Sequence, residues 1–137
     1  MARSERMKAV HALDSIFSKF IRLRDSDKNG YCKCVTCSKI GFWTKSGMQA
    51  GHFQTRTKYS TRWDEKNVHA QCAGCNMVNG GQQYAHGIEI DKRYGEGVAD
   101  NIVILSNNTK KFSTFELREM ISHYKEEVLR MMRDKGL

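Results

Sequence analysis

Two cysteine pairs of identical spacing, Cys34-Val-Thr-Cys37 and Cys72-Ala-Gly-Cys75, constrain this chain more than any other feature. A C-x-x-C turn presents both sulfurs from one side, and two such turns facing each other can close a tetrahedral zinc site. The ion would staple together two points far apart in sequence. A fifth cysteine, Cys32, could pair in a C-x-C or C-x-x-x-x-C register, but both are less usual knuckles, and a free packed thiol is the expectation. The odd count also argues against a closed disulfide framework.

With 137 residues the chain is one domain's worth, for which a metal staple would usefully supplement a limited apolar interior. No apolar run is long enough to span a bilayer and no cleavable leader is evident, so a soluble, cytoplasmic protein is expected. The net charge of +8 lies wholly in residues 1–68, which hold 14 Lys/Arg against 6 Asp/Glu. Such a basic half suits a polyanion, because neutralising phosphates releases condensed counterions and gives sequence-independent affinity.

Val10, Leu13, Ile16, Phe17, Phe20 and Ile21 recur at helical intervals, which predicts an amino-terminal amphipathic helix over residues 4–24. Asp25 to Gly30 is turn-forming. Met48 to Phe53 and Asn67 to Gln71 read as strands joined by a basic loop, and Asn76 to Gly81 as a helical turn stopped by glycine. Together with the knuckles these make a ββα unit over residues 31–81. Carboxy-terminal helices follow over 86–134, the last announced by the capping-box pattern Ser113-Thr114-Phe115-Glu116. The fold class is α+β, a single domain over 1–137. The apolar stripe of the last helix either covers the core or partly faces a second copy.

The sequence Ala50-Gly51-His52-Phe53, then Arg62 through Asn67 to Cys72, then Cys75-Asn76, resembles the HNH or ββα-metal endonuclease motif in an H-N-N form. The Cys-x-x-Cys-Asn ending is similar to that of phage endonuclease VII. Over roughly residues 12–131, including Arg22 to Asp25 and Tyr84, the chain more closely resembles the NinG (Rap) recombination endonucleases of lambdoid phages. That resemblance implies a metal-dependent nuclease acting on branched recombination intermediates, such as Holliday junctions and D-loops, in the host cytoplasm or nucleoid. It implies catalytic roles for His52, Asn67 and Asn76.

Phosphodiester hydrolysis needs a base for water, a cation for the developing charge and help for the leaving oxygen. His52 is the expected general base, Asn67 its orienter, and Asn76 a ligand through its amide oxygen to one Mg²⁺ or Mn²⁺, distinct from the structural zinc. Gly51 stands where much of the HNH superfamily has a further metal ligand. Asp64, Glu65 and His69 are candidates to replace it, with Asp64 preferred as an oxygen donor, although Asp64 and Glu65 could equally pair with Arg62 or Lys66.

Arg56, Lys58, Arg62 and Lys66 are placed to straddle DNA phosphates, with Arg22 and Arg24 as a flanking strip. Trp43 and Trp63 fit packing better than base stacking, and His11, His86 and His123 receive no role. Coordinated cuts at a junction predict a homodimer, with the last helix and the first at the interface. No membrane or small-molecule cofactor is expected. Two other readings use the same residues: an HNH nicking or restriction-type nuclease on linear duplex, and a non-catalytic zinc-ribbon DNA-binding protein.

Overall fold

The computed structural model describes residues 4–137, so the first three residues of the expected 1–137 domain lie outside it. Helix α1 spans Glu5–Arg24 and begins where Ser4 accepts the Met7 N–H at 3.1 Å. A serine at this position satisfies one of the helix's orphan donors. The apolar stripe read from the sequence is the buried one, with Val10, Leu13, Phe17 and Ile21 all inaccessible.

Two antiparallel hairpins follow. In the first, β1 (Tyr31–Lys33) pairs with β2 (Ile40–Phe42). Neither strand is predicted from the sequence, because three residues carry too little periodicity to read. The first cysteine knuckle is the tip of this hairpin, closed by Cys34 N–H to the Lys39 carbonyl at 2.7 Å and Ser38 N–H to the Cys34 carbonyl at 3.0 Å. In the second hairpin, β3 (Gln49–His52) and β4 (Val68–Gln71) set His52 opposite Val68 and Gln49 opposite Gln71. These strands fall inside the predicted segments.

A four-residue helix α2 (Tyr59–Arg62) interrupts the basic loop between β3 and β4, where the sequence reading places no helix. After β4 the chain makes a single wide helical turn, Gly74–Val78. Helix α3 spans Gln83–Tyr94, three residues longer at its start than predicted, and α4 spans Val98–Ser106. Helix α5, Thr114–Lys135, carries the predicted capping box in full: Ser113 Oγ accepts Glu116 N–H, and Glu116 Oε1 accepts Ser113 N–H, both at 3.1 Å.

The main core lies between α1, α5 and the second hairpin, with Leu117, Tyr124 and Val128 of α5 facing Phe17 and Phe20 of α1. The stripe of α5 is therefore largely consumed within the chain. Flanking residues such as Phe115 and Leu129 remain exposed on the same helix. A small second core joins Phe53 to Ile90, Ala99 and Ile102. Lys135 closes the far end by donating to the carbonyls of Leu23 and Ser26, both at 2.5 Å. No helix among the described residues is long and apolar enough to cross a membrane.

The aromatic contact between α1 and α5 should contribute strongly to stability. Phe17→Ala is expected to cost about 3–5 kcal/mol and Ser113→Ala about 1 kcal/mol, read from urea midpoints at unchanged slope.

Candidate metal centre and active-site cleft

The sulfurs of Cys34, Cys37, Cys72 and Cys75 all lie within 4.8 Å of one another. A tetrahedral ion with bonds of about 2.3 Å places its four sulfurs about 3.8 Å apart, so the cluster is close to a zinc sphere. Two turns create it: the hairpin tip supplies one pair, and the start of the helical turn supplies the other, where Asn76 N–H caps the Cys72 carbonyl at 2.9 Å. Val35 N–H donates to the Ala70 carbonyl at 3.0 Å and fastens the hairpin tip to β4.

Protons alone leave this cluster frustrated. Burial opposes the Cys34 thiolate, yet backbone and Thr36 hydrogen bonds bring it down to about 6. Cys37 receives a favourable Lys39 N–H bond, but burial and the three neighbouring sulfurs hold it up at about 12. A divalent cation resolves the conflict by stabilising all four thiolates together. Cys32 is not part of the cluster; its buried thiol donates to the Arg22 carbonyl at 3.2 Å, as expected of a packed cysteine.

Beside the cluster lies a cleft of about 610 Å³, lined by residues that include Asp14, Ser18, Lys45, Gln49, His52, Arg56 and Asn76. It brings His52 and Asn76 to one site. The His52 Nε2 lies 2.9 Å from the Arg62 carbonyl. A carbonyl only accepts, so Nε2 carries the proton and Nδ1 holds a lone pair. Burial, more than anything else, lowers His52 to about 4; Arg56 and Arg62 push the same way, while the Arg62 carbonyl and Asp14 oppose them. Asn76 Nδ2 donates to Gln49 Oε1 at 2.7 Å, which fixes the amide and leaves its oxygen unengaged by protein.

Several sequence expectations are corrected here. Asn67 makes no hydrogen bond to the imidazole; fully buried, it accepts Gln54 N–H at 2.7 Å and donates to the Gln54 and Thr61 carbonyls, both at 3.0 Å, tying the loop together next to Arg62. Asp64 is not in the cleft, because its Oδ1 caps the turn before β4 by accepting Lys66 N–H at 2.9 Å. Glu65 accepts the Tyr124 hydroxyl at 2.9 Å. His69 points into the interior, with Nδ1 2.9 Å from His86 Nε2 and Nε2 2.9 Å from the Tyr94 hydroxyl.

Among the cations, Arg56 and Lys58 are exposed, and Lys66 is exposed over the Tyr94 ring. Arg62 is not available to phosphates: its guanidinium is spent on Asp14 and the Arg56 carbonyl. Arg22 donates to the Trp43 carbonyl at 2.8 Å, and Arg24 to Asp25 and the carbonyls of Glu65 and Val68, so the flanking strip is structural. Trp43 and Trp63 are buried packing residues.

Gly51 has a steric reason. A Cβ there would collide with the Gln71 side chain, which donates to the Gly81 carbonyl at 2.8 Å, so no ligand-bearing residue fits without moving Gln71. The residue that sequence reasoning missed is Asp14. Its signal was an acid within the apolar stripe of α1, between Leu13 and Phe17, where an unpaired charge would be costly.

The Bacteriophage Lambda NinG protein family model matches residues 2–134. The chain belongs to the NinG family. Protein ninG of Escherichia phage 933W is 30% identical over 110 residues, covering 80% of this chain and 51% of that protein. Protein ninG of Escherichia phage lambda is 28% identical over 110 residues (80% and 50%), and that of Salmonella phage P22 is 29% identical over 116 residues (84% and 53%). The chain thus spans about half the length of these NinG relatives. No solved structure is significantly similar to it.

Two outcomes test the site's chemistry. The purified chain should hold one zinc, cobalt should replace it with thiolate-to-metal absorption, and Cys72→Ala or a strong chelator should abolish that absorption and unfold the domain, followed by circular dichroism. Burial also holds His52, His69 and His86 at about 4, 3 and 4, below the ordinary value of 6.5. Between these values the unfolded chain binds more protons, so stability is full above about pH 6.5 and lost as pH falls towards 4. His86→Gln should flatten this decline in melting temperature relative to the parent chain.

Proposed function

We propose that this NinG-family chain is an H-N-N endonuclease of the ββα-metal type, hydrolysing phosphodiester bonds in branched DNA such as Holliday junctions and D-loops. One observation carries the reading: Arg62's carbonyl fixes the His52 tautomer in a cleft shared with Asn76 and flanked by the exposed cations Lys45 and Arg56. In this reading strands β3 and β4 and the turn Gly74–Val78 form the ββα unit, with the sulfur cluster as its zinc staple.

In this reading His52 Nδ1 accepts the proton of an attacking water. In the free protein the imidazole is neutral at pH 7, and a bound phosphodiester brings negative charge that offsets Arg56 and raises its basicity. Asn76 Oδ1 is the protein donor suited to a hard Mg²⁺ or Mn²⁺, and such an ion supplies charge neutralisation at the scissile phosphate. Asp14 lines the same cleft, where its carboxylate is engaged by Arg62 and the Trp63 indole. The substrate phosphate and water would supply the rest. Lys45, Arg56 and Lys58 hold the flanking phosphates, and two copies acting together make the paired cuts a junction requires.

His52→Ala should reduce cleavage of a labelled four-way junction about 10²- to 10⁴-fold while leaving junction affinity intact. Asn76→Ala should instead raise the Mg²⁺ concentration needed for half-maximal rate. Equal cutting of linear duplex would favour a nicking or restriction-type enzyme, and binding without cutting in either metal would leave a zinc-ribbon binding protein.

A further inference from the structure

We propose that Asp14 is a positioning residue for His52, fastening Arg62 so that the Arg62 carbonyl holds the imidazole in its Nε2-protonated form. The proposal rests on the nuclease reading for its consequence, but not for its geometry. Asp14 Oδ1 accepts Arg62 Nε–H and the Trp63 indole N–H, both at 3.0 Å, and Oδ2 accepts Arg62 Nη2–H at 2.5 Å. The two side chains are only 15% and 12% exposed.

A bidentate carboxylate–guanidinium pair fixes orientation as well as distance. Here it ties α1 to α2 across 48 residues of sequence. The remaining Arg62 nitrogen, Nη1, donates to the Arg56 carbonyl at 2.9 Å, and the guanidinium packs against the rings of Tyr59 and Trp63. From the other side Asn67 grips the Thr61 carbonyl, one residue before Arg62. The peptide that receives His52 Nε2–H is thus held from both flanks, although α2 is a single turn with no side-chain cap of its own.

The same carboxylate acts through space. The charged and titratable groups that bear on His52 are Asp14 from α1, Arg56 from the loop, Arg62 from α2 and His86 from α3, with Lys45 lining the same cleft. Asp14 alone among them is anionic. Removing its charge leaves the imidazole facing cations and the neutral His86 ring, so the His52 pKa falls and the acid limb of a pH–rate profile moves to lower pH.

The test uses the full zinc-loaded chain, labelled with ¹⁵N, and long-range ¹H–¹⁵N spectra that report which ring nitrogen of His52 bears the proton. The parent chain should show the Nε2–H form. Asp14→Asn keeps the shape but loses charge, Asp14→Ala loses both, and Arg62→Lys keeps the carbonyl and charge but loses the fork. Folding of each is checked by cobalt absorption.

In Asp14→Ala and Arg62→Lys the tautomer should become mixed, and junction turnover should fall about 10²-fold at unchanged junction affinity, as a misplaced catalytic group does. In Asp14→Asn the His52 titration should move down. A parent-like tautomer and titration in both Asp14 variants would overturn the proposal, and so would a raised Mg²⁺ requirement with the imidazole unchanged, which marks a metal ligand. If the parent chain cuts no DNA the nuclease reading falls, while the spectra still decide whether Asp14 sets His52.

Discussion

Four sulfurs from two tight turns converge on one point of this small molecule, where a single metal ion would staple the turns together. One turn is the tip of a hairpin whose strands are three residues each, and the other caps a helical turn of five. Neither has enough apolar surface to stay put alone, since a lone two-stranded hairpin is marginal in water. The cysteine cluster and the Val35–Ala70 bond connect both to β4, whose four residues are all buried. The position of Asn76 follows directly, because it comes one residue after the last sulfur.

Elements with many residues in one periodic pattern were readable from the sequence. The stripe in α1 and the capping box of α5 are local signals, spaced three and four residues apart, and the chain obeys them. The four cysteines were readable for a related reason: few other chemistries need paired thiols at that spacing. The β1–β2 hairpin and α2 escaped because three or four residues carry no period. Their conformation is imposed from outside, by the knuckle in one case and by Asp14 and Asn67 in the other.

The sequence motif brings two of its residues together without disclosing their wiring. His52 and Asn76 do share a cleft, but what orients the histidine is a backbone carbonyl, and a carbonyl leaves no trace in residue identity. Asn67 belongs to the same apparatus at one remove, gripping the loop rather than the ring. The line His86–His69–Tyr94, buried at its two histidines, has the same character: its partners lie 17 and 25 residues apart, and burial rather than pairing keeps both rings neutral.

Charge shows most sharply how counting residues misleads. The basic half reads as a phosphate-binding surface, yet Arg22, Arg24 and Arg62 are turned inward to carbonyls and carboxylates. Each arginine donates in several directions at once, which suits it to tying backbone segments where helices are short and glycine turns frequent. The exposed cations that line the cleft are Lys45 and Arg56, with Lys58 two residues farther along the loop and Lys66 over Tyr94. Counterion release scales with the phosphates neutralised, so the few cations at the cleft itself supply only a modest share of sequence-independent affinity. Under the nuclease reading, preference for a substrate must then come from how its shape meets the cleft, because phosphate contacts alone do not tell one duplex from another.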